Sequence, residues 1–292
     1  MRPWSRTLAR NSIRAAGKAL SVTLPLSARK ALAASRSCRT TKAGCEFSLS
    51  LLSDLRRRDP DSFHRFLWSN HLAYAMSYEV QSRFGASNIN PSRHILFAEI
   101  AAHLRERGLS PLADIHSAFE VGCSMGYLLR HLEVEVCPSA DSLHGLDIDE
   151  YAVRAGEAHL QQLCSKVRLF TADIANIGDV MGARTYDLVL CCGVLMYVNE
   201  EAAAEVIRTM LQCARRLVAV ICLAHNDHPP GTYRRSVTRS TDGAFIHNIE
   251  QMVHRAGGEV VRRRRVGSEV SGSSPSDVIL AEPADLAAST PG

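Results

Sequence analysis

The chain has 292 residues, 46% of them hydrophobic and 22% charged, a composition that suits a folded globule with ample material for a core. No apolar run approaches the ~20 residues that cross a bilayer, and the net charge of +4 hides an uneven spread. Residues 1–45 hold seven Arg, three Lys and no acid, so residues 46–292 together carry −6, which argues against a surface that tracks nucleic-acid phosphates.

In chain order, residues 1–45 read as a basic leader. Their Arg, Ser and Ala without acid fit a mitochondrial transit peptide, and a disordered extension or an upstream start fits equally. The nine Cys form no C-x-x-C pair and read as reduced core residues. The compartment expected is the cytoplasm, with the mitochondrial matrix as the alternative that the leader raises. Residues 46–116 read as a helical cap. A helix runs over Glu46–Arg58, Pro60 interrupts it, and a second over Ser62–Arg83 repeats Phe63, Phe66, Leu67, Tyr74 and Tyr78 at helical steps. Residues 85–91 are a loop, and a third helix covers Ser92–Arg107.

From Ser117 the pattern alternates between strand and helix. Strands are expected at Ser117–Val121, Ser142–Leu146, Val167–Phe170, Tyr186–Cys191, Leu217–Leu223, Glu259–Val266 and Asp277–Ala281. The first five alternate with helical stretches, which predicts a doubly wound, mostly parallel α/β sheet. The last two are joined only by Gly267–Pro275, too short for a parallel crossover, so the seventh strand runs antiparallel. Residues 117–285 thus form a Rossmann-like domain, and 286–292 a tail. Arg262–Arg265 alternates with valines as a solvated strand face.

Glu120-Val121-Gly122-Cys123-Ser124-Met125-Gly126 runs from the first strand into a helix through small residues, where backbone can approach a ligand closely. A dinucleotide fingerprint needs glycine at 122, 124 and 127, and the chain has Gly, Ser and Tyr there. The segment resembles the first motif of class I S-adenosylmethionine-dependent methyltransferases, an acid followed by Gly-x-Gly-x-Gly, with Ser124 in place of the middle glycine. The resemblance implies that Glu120 holds the ammonium of S-adenosyl-L-methionine, with Gly122, Cys123, Ser124 and Gly126 around it. Asp147, one βα unit later and followed by Ile148, suits the ribose hydroxyls. Asp173 and Ile174 resemble the family's adenine contacts. Lone acids after strands are otherwise helix caps, but here three follow three successive strands. Cys192 and Gly193, at the end of the fourth strand, are expected to pass close to the sulfonium, and Asp187 to be structural.

Methyl transfer is an in-line displacement that needs alignment more than acid–base groups. Candidate catalytic residues are His225 after the fifth strand, His247, and His71 on the helix before the sheet. Each is otherwise a solvated or core histidine. Asn226, Asp227 and His228 follow His225, and no metal is expected from so short a pattern. The N-terminal helices carry no nucleic-acid module, and Cys192-Gly193-Val194-Leu195 replaces the family's Asn-Pro-Pro-Tyr motif of base methylation. The function implied is methyl transfer to an oxygen or nitrogen of a small molecule. The alternatives are a non-catalytic cofactor-binding scaffold and an NAD-dependent oxidoreductase.

Overall fold

The computed structural model describes residues 3–73, 84–85, 89–225, 235–271 and 274–283. The chain divides into two units, residues 1–79 with 240–243, and residues 80–239 with 244–292.

The first unit is helical: α1 (Pro3–Thr23), α2 (Leu26–Ala33), α3 (Arg36–Thr40), α4 (Lys42–Leu51), α5 (Ser53–Arg58) and α6 (Pro60–Ser69). Its core is Ala33, Leu51, Leu52, Leu55, Phe63, Leu67 and Leu72. Residues 1–45, for which disorder was one expectation, instead lie largely in helices α1 to α4. Small residues explain the difference. A Cβ at Gly17 would stand 2.8 Å from Ser50 Cβ, so α1 and α4 meet almost backbone to backbone. Ser48 is buried and its hydroxyl donates to the Ala33 carbonyl at 3.3 Å. Such contacts use little of the apolar side-chain surface that composition detects.

Pro60 starts α6 rather than only ending the helix before it. Its missing N–H is harmless in the first turn, and Asp59 caps that turn by accepting from Ser62 N at 3.0 Å. The helix expected to reach Arg83 stops at Ser69, and His71 takes φ 56°. Tyr74 and Tyr78 lie outside the described residues.

The second unit contains a seven-stranded sheet. Its elements are α7 (Pro91–Glu106), α8 (Pro111–Asp114), β1 (Ser117–Val121), α9 (Tyr127–His131), β2 (Ser142–Asp147), α10 (Glu150–Gln162), β3 (Val167–Thr171), α11 (Ile177–Met181), β4 (Tyr186–Cys192), α12 (Glu200–Cys213) and β5 (Ala214–Leu223). They continue with the ribbon strands β6 (Val237–Thr238) and β7 (Phe245–Ile246), then α13 (Ile249–Arg255), β8 (Gly258–Val266), α14 (Ser268–Ser271) and β9 (Ser276–Pro283). The sheet order is β3-β2-β1-β4-β5-β9-β8. β9 is antiparallel to both neighbours and the other pairings are parallel, as the short 267–275 link requires. The two-residue ribbon β6–β7 carries no pattern in the sequence.

Period-two alternation divides the sheet's side chains between two cores. Ala118, Leu188, Leu190, Cys192 and Ile221 pack with Leu96, Ile100 and Leu104 of α7 and Leu160 of α10. Phe119, Val121, Val189, Cys191 and Val220 pack with Met181 of α11, Met210 of α12 and Val253 of α13. Residues 91–106, read from the sequence as part of a separate cap, therefore cover one face of the sheet itself. Buried Glu282 of β9 fixes them there, contacting His103 at 2.7 Å and pairing with Arg107.

Candidate cofactor site

The order β3-β2-β1-β4-β5 places the carboxyl ends of five parallel strands side by side. This is the rim where open α/β sheets bind ligands.

The turn after β1 has positive φ at alternate residues: Gly122 at 74°, Ser124 at 53° and Gly126 at 78°. A Cβ at Gly122 would also lie 2.2 Å from Val194 Cγ2, so only glycine fits. Ser124 takes a left-handed conformation that glycine adopts without strain, at a cost of about 1 kcal/mol. Gly122 N and Cys123 N both donate to the Leu146 carbonyl, at 2.8 and 2.9 Å, which ties the turn to the end of β2.

Asp147 closes this arrangement. Its Oδ2 accepts from Ser124 N at 2.7 Å and its Oδ1 from Asp149 N at 2.9 Å. Burial pushes its carboxyl up to about 6, against the pull of those backbone N–H groups. Each oxygen keeps a lone pair, so acceptance of two ribose hydroxyls stays open to it. Asp149 instead caps α10, accepting from Ala152 N at 3.1 Å. Ile148 between them is half-buried.

Asp173 caps the turn that follows β3, accepting from Ala175 N at 2.9 Å, and Ile174 is buried beside it. Asp173 thus makes the cap that a lone acid after a strand ordinarily makes, and acceptance of a ligand N–H stays open to its carboxylate. At the end of β4, Cys192 is buried and Gly193 takes φ 76° with open space where a Cβ would stand.

Glu120 differs from its neighbours. It is 2% exposed and shares its sheet face with Cys192 and α7. Its Oε2 is buried with no hydrogen-bond partner. Burial raises its carboxyl to about 8, Asp147 adds to the rise, and the field of Arg93 opposes it. A buried oxygen without a donor is what a site for a ligand ammonium leaves open. The residues present thus fit S-adenosyl-L-methionine: Glu120 for the ammonium, Asp147 for the ribose, and the 122–126 turn for close backbone approach.

Arg93 was not singled out by the sequence, because it lies on a helix 27 residues before Glu120 and belongs to no motif. Its guanidinium sits 5.1 Å from the centroid of the Tyr127 ring, and among the described residues it has no ion-pair partner.

The three histidine candidates separate. His247 is 2% exposed, its Nε2 donates to the Leu195 carbonyl at 2.8 Å, and its Nδ1 accepts from Ser236 Oγ at 2.7 Å. Burial lowers its pKa. Both nitrogens are occupied, so His247 is a pin on the segment after β4 and not a free base. His225 stands two residues beyond β5, half-buried, its carbonyl accepting from Arg265 Nη1 at 3.0 Å. Arg265 is clamped to Asp277 at 2.6 Å, which holds the His225 backbone to the rim. His71 belongs to the first unit. Asn226, Asp227 and His228 lie outside the described residues.

Residues 119–219 match a family model described as a methyltransferase domain. No curated protein matches the sequence. Among solved structures, the chain is similar to 1,6-didemethyltoxoflavin N1-methyltransferase of Burkholderia thailandensis, with bound 1,6-didemethyltoxoflavin and S-adenosylhomocysteine. The identity is 15% over 77% of this chain and 90% of that one, with a TM-score of 0.55. It is also similar to the O-methyltransferase of a trans-AT PKS multienzyme of Brevibacillus brevis, in complex with S-adenosyl-L-homocysteine, at 12% identity, 75% and 80% coverage and a TM-score of 0.52. Magnesium protoporphyrin IX methyltransferase of Synechocystis PCC 6803, with bound SAM, matches at 17% identity, 80% and 96% coverage and a TM-score of 0.49.

Proposed function

We propose that this class I S-adenosyl-L-methionine-dependent methyltransferase delivers its methyl group to an oxygen or nitrogen of a small molecule. The observation that carries the reading is the unpartnered, buried carboxylate oxygen of Glu120 beside the Ser124–Asp147 turn. The cofactor supplies an electrophilic methyl on a sulfonium; the chain's own residues bind, orient and exclude water. Glu120 and Asp147 fix the two polar ends of the ligand. Cys192 and Gly193 present a small, dry wall between them.

A small acceptor is favoured by charge and by motif. The unit that holds the sheet carries −4, whereas residues 1–79 with 240–243 carry +8, so the rim lies on the acidic unit. Cys192-Gly193-Val194-Leu195 stands where base-methylating relatives have Asn-Pro-Pro-Tyr. Two similar structures with TM-scores above 0.5 are named as an N- and an O-methyltransferase.

His225 is assigned as the base that takes a proton from the acceptor hydroxyl or amine. The test is release of S-adenosylhomocysteine with a panel of phenolic, hydroxyl and amine acceptors. His225→Ala should slow turnover about a hundredfold with cofactor affinity retained. Unchanged turnover would leave alignment alone as the source of rate. Absence of turnover with every acceptor, in a protein that binds cofactor, would favour a scaffold.

A further inference from the structure

Glu120 raises a question of proton balance. Its alternation with Phe119 and Val121 turns it toward the face covered by α7, where it is 2% exposed and its Oε2 has no partner. No cationic nitrogen of the described residues lies within ion-pair distance. The groups that act on it come from three elements. Arg93 of α7 is positive, Asp147 of β2 is negative, and the thiols of Cys191 and Cys192 on β4, like that of Cys123 in the turn, are held neutral by burial. One positive and one negative neighbour roughly cancel, which leaves desolvation to decide. A buried carboxyl without a paired cation takes up a proton.

We propose that Glu120 stands as a carboxylic acid in the free protein and releases its proton to solvent as it receives the cofactor's ammonium. The inference rests on the assignment of Glu120 to that ammonium. In the complex one proton is shared by two groups that carry two when apart at neutral pH. The O–H bond of Glu120 breaks, the proton leaves to water, and a carboxylate–ammonium pair remains; no electron changes hands. In alkaline solution the free ligand carries a neutral amine. Any proton still on Glu120 then passes to that amine, and with both groups already deprotonated the complex takes its proton from water. The net exchange must therefore change sign with pH.

The test is isothermal titration of the full chain with S-adenosylhomocysteine, which has the same amino-acid end and no methyl to lose, in buffers of differing ionisation enthalpy. A carboxyl near 8 and a free amino acid's α-amine, near ~9 because the adjacent carboxylate favours the ammonium, give a release of about 0.9 proton per site at pH 7. The exchange should fall to about zero near pH 8.5 and become an uptake above it. Methylthioadenosine, which lacks the amino-acid end, should release none. Glu120→Gln, checked as folded by its melting curve, should bind at least tenfold more weakly and release none.

Binding at pH 7 with no buffer-dependent heat would overturn the proton proposal and leave the cofactor assignment standing. The same release from Glu120→Gln would place the proton elsewhere and overturn it too. Failure of the wild-type chain to bind would overturn both.

Discussion

Glu120→Gln should make the ligand-free protein more stable at neutral and alkaline pH, because the native fold holds this carboxyl where its charged form is disfavoured. The group's ordinary value of 4.5 rises to about 8 on folding. A carboxyl raised in the folded state contributes stability that is whole below its unfolded pKa. That stability is lost as pH climbs through the folded value. The window therefore runs from about 4.5 to 8, and at 1.36 kcal/mol per pH unit the native state loses about 3–4 kcal/mol between pH 5 and pH 8 on this account. For a unit of this size that corresponds to roughly 10 °C in melting temperature. Glutamine matches the shape of the acid and cannot ionise, so the slope should flatten in the variant. Differential scanning fluorimetry of both proteins without cofactor, at half-unit steps from pH 5 to 8.5, reads it directly. Cofactor should narrow the gap, since a tenfold weaker ligand stabilises the variant by about 1.4 kcal/mol less than wild type. Equal slopes for the two proteins, or a variant that melts lower at pH 8, would refute the reasoning.

His247→Ala should cost about 2–4 kcal/mol, from a buried side chain and two hydrogen bonds, in a urea melt. The pH profile of turnover should keep its shape in the folded fraction, and a variant of normal stability with abolished turnover would restore a catalytic role. Because burial lowers the pKa of His247, its contribution to stability should also fade as pH drops below ~6.5, where the unfolded chain gains a proton. Ser124→Gly should relieve a left-handed φ of 53° and raise stability by about 0.5 kcal/mol, the relief exceeding glycine's extra chain entropy. A loss above 1 kcal/mol would show contacts of the serine side chain that outweigh the strain.

The sheet was largely legible in the sequence, and the reason is local. Each of the first four strands of the 117–223 stretch ends at or within two residues of an acid or glycine and is followed by a helical segment. The reversal of β9 follows from one short link. Three features were not legible because their determinants lie far apart or carry no hydropathy. The helices of residues 3–51 pack through Gly17, Ala33, Gly44 and Ser48, residues that look like leader composition. The role of His247 depends on the Leu195 carbonyl, 52 residues earlier, and a histidine in an apolar run cannot announce that partner. Arg93 acts on Glu120 from another element, with no spacing that a motif would record. The acids after the strands show a further limit. Glu120, Asp147 and Asp173 were all visible, yet only the structure shows Asp147 bracing the turn, Asp173 accepting from Ala175 N and Glu120 Oε2 left without a partner among the described residues.

Comparison of the buried acids in the sheet unit gives the strongest reason to regard Glu120 as a ligand seat. At the amino end of the sheet, Asp187 accepts from His116 N, Ser117 N, Ser117 Oγ and Arg215 Nε at 2.9 to 3.1 Å. Those bonds overcome burial and hold its carboxyl below the ordinary range. Glu133 is met by Ser165, Lys166 N and Arg130, Asp277 by Arg263 and Arg265, and Glu282 by His103 and Arg107. The fold therefore supplies donors to buried carboxylates wherever they serve structure. Glu120 lies on the same sheet, with less exposure than Asp187, and its Oε2 receives none. A purely structural residue at that position would be more stable as an apolar one, since an uncompensated buried acid costs several kcal/mol. No donor of the described residues meets that oxygen, and a primary ammonium with three N–H groups would satisfy it.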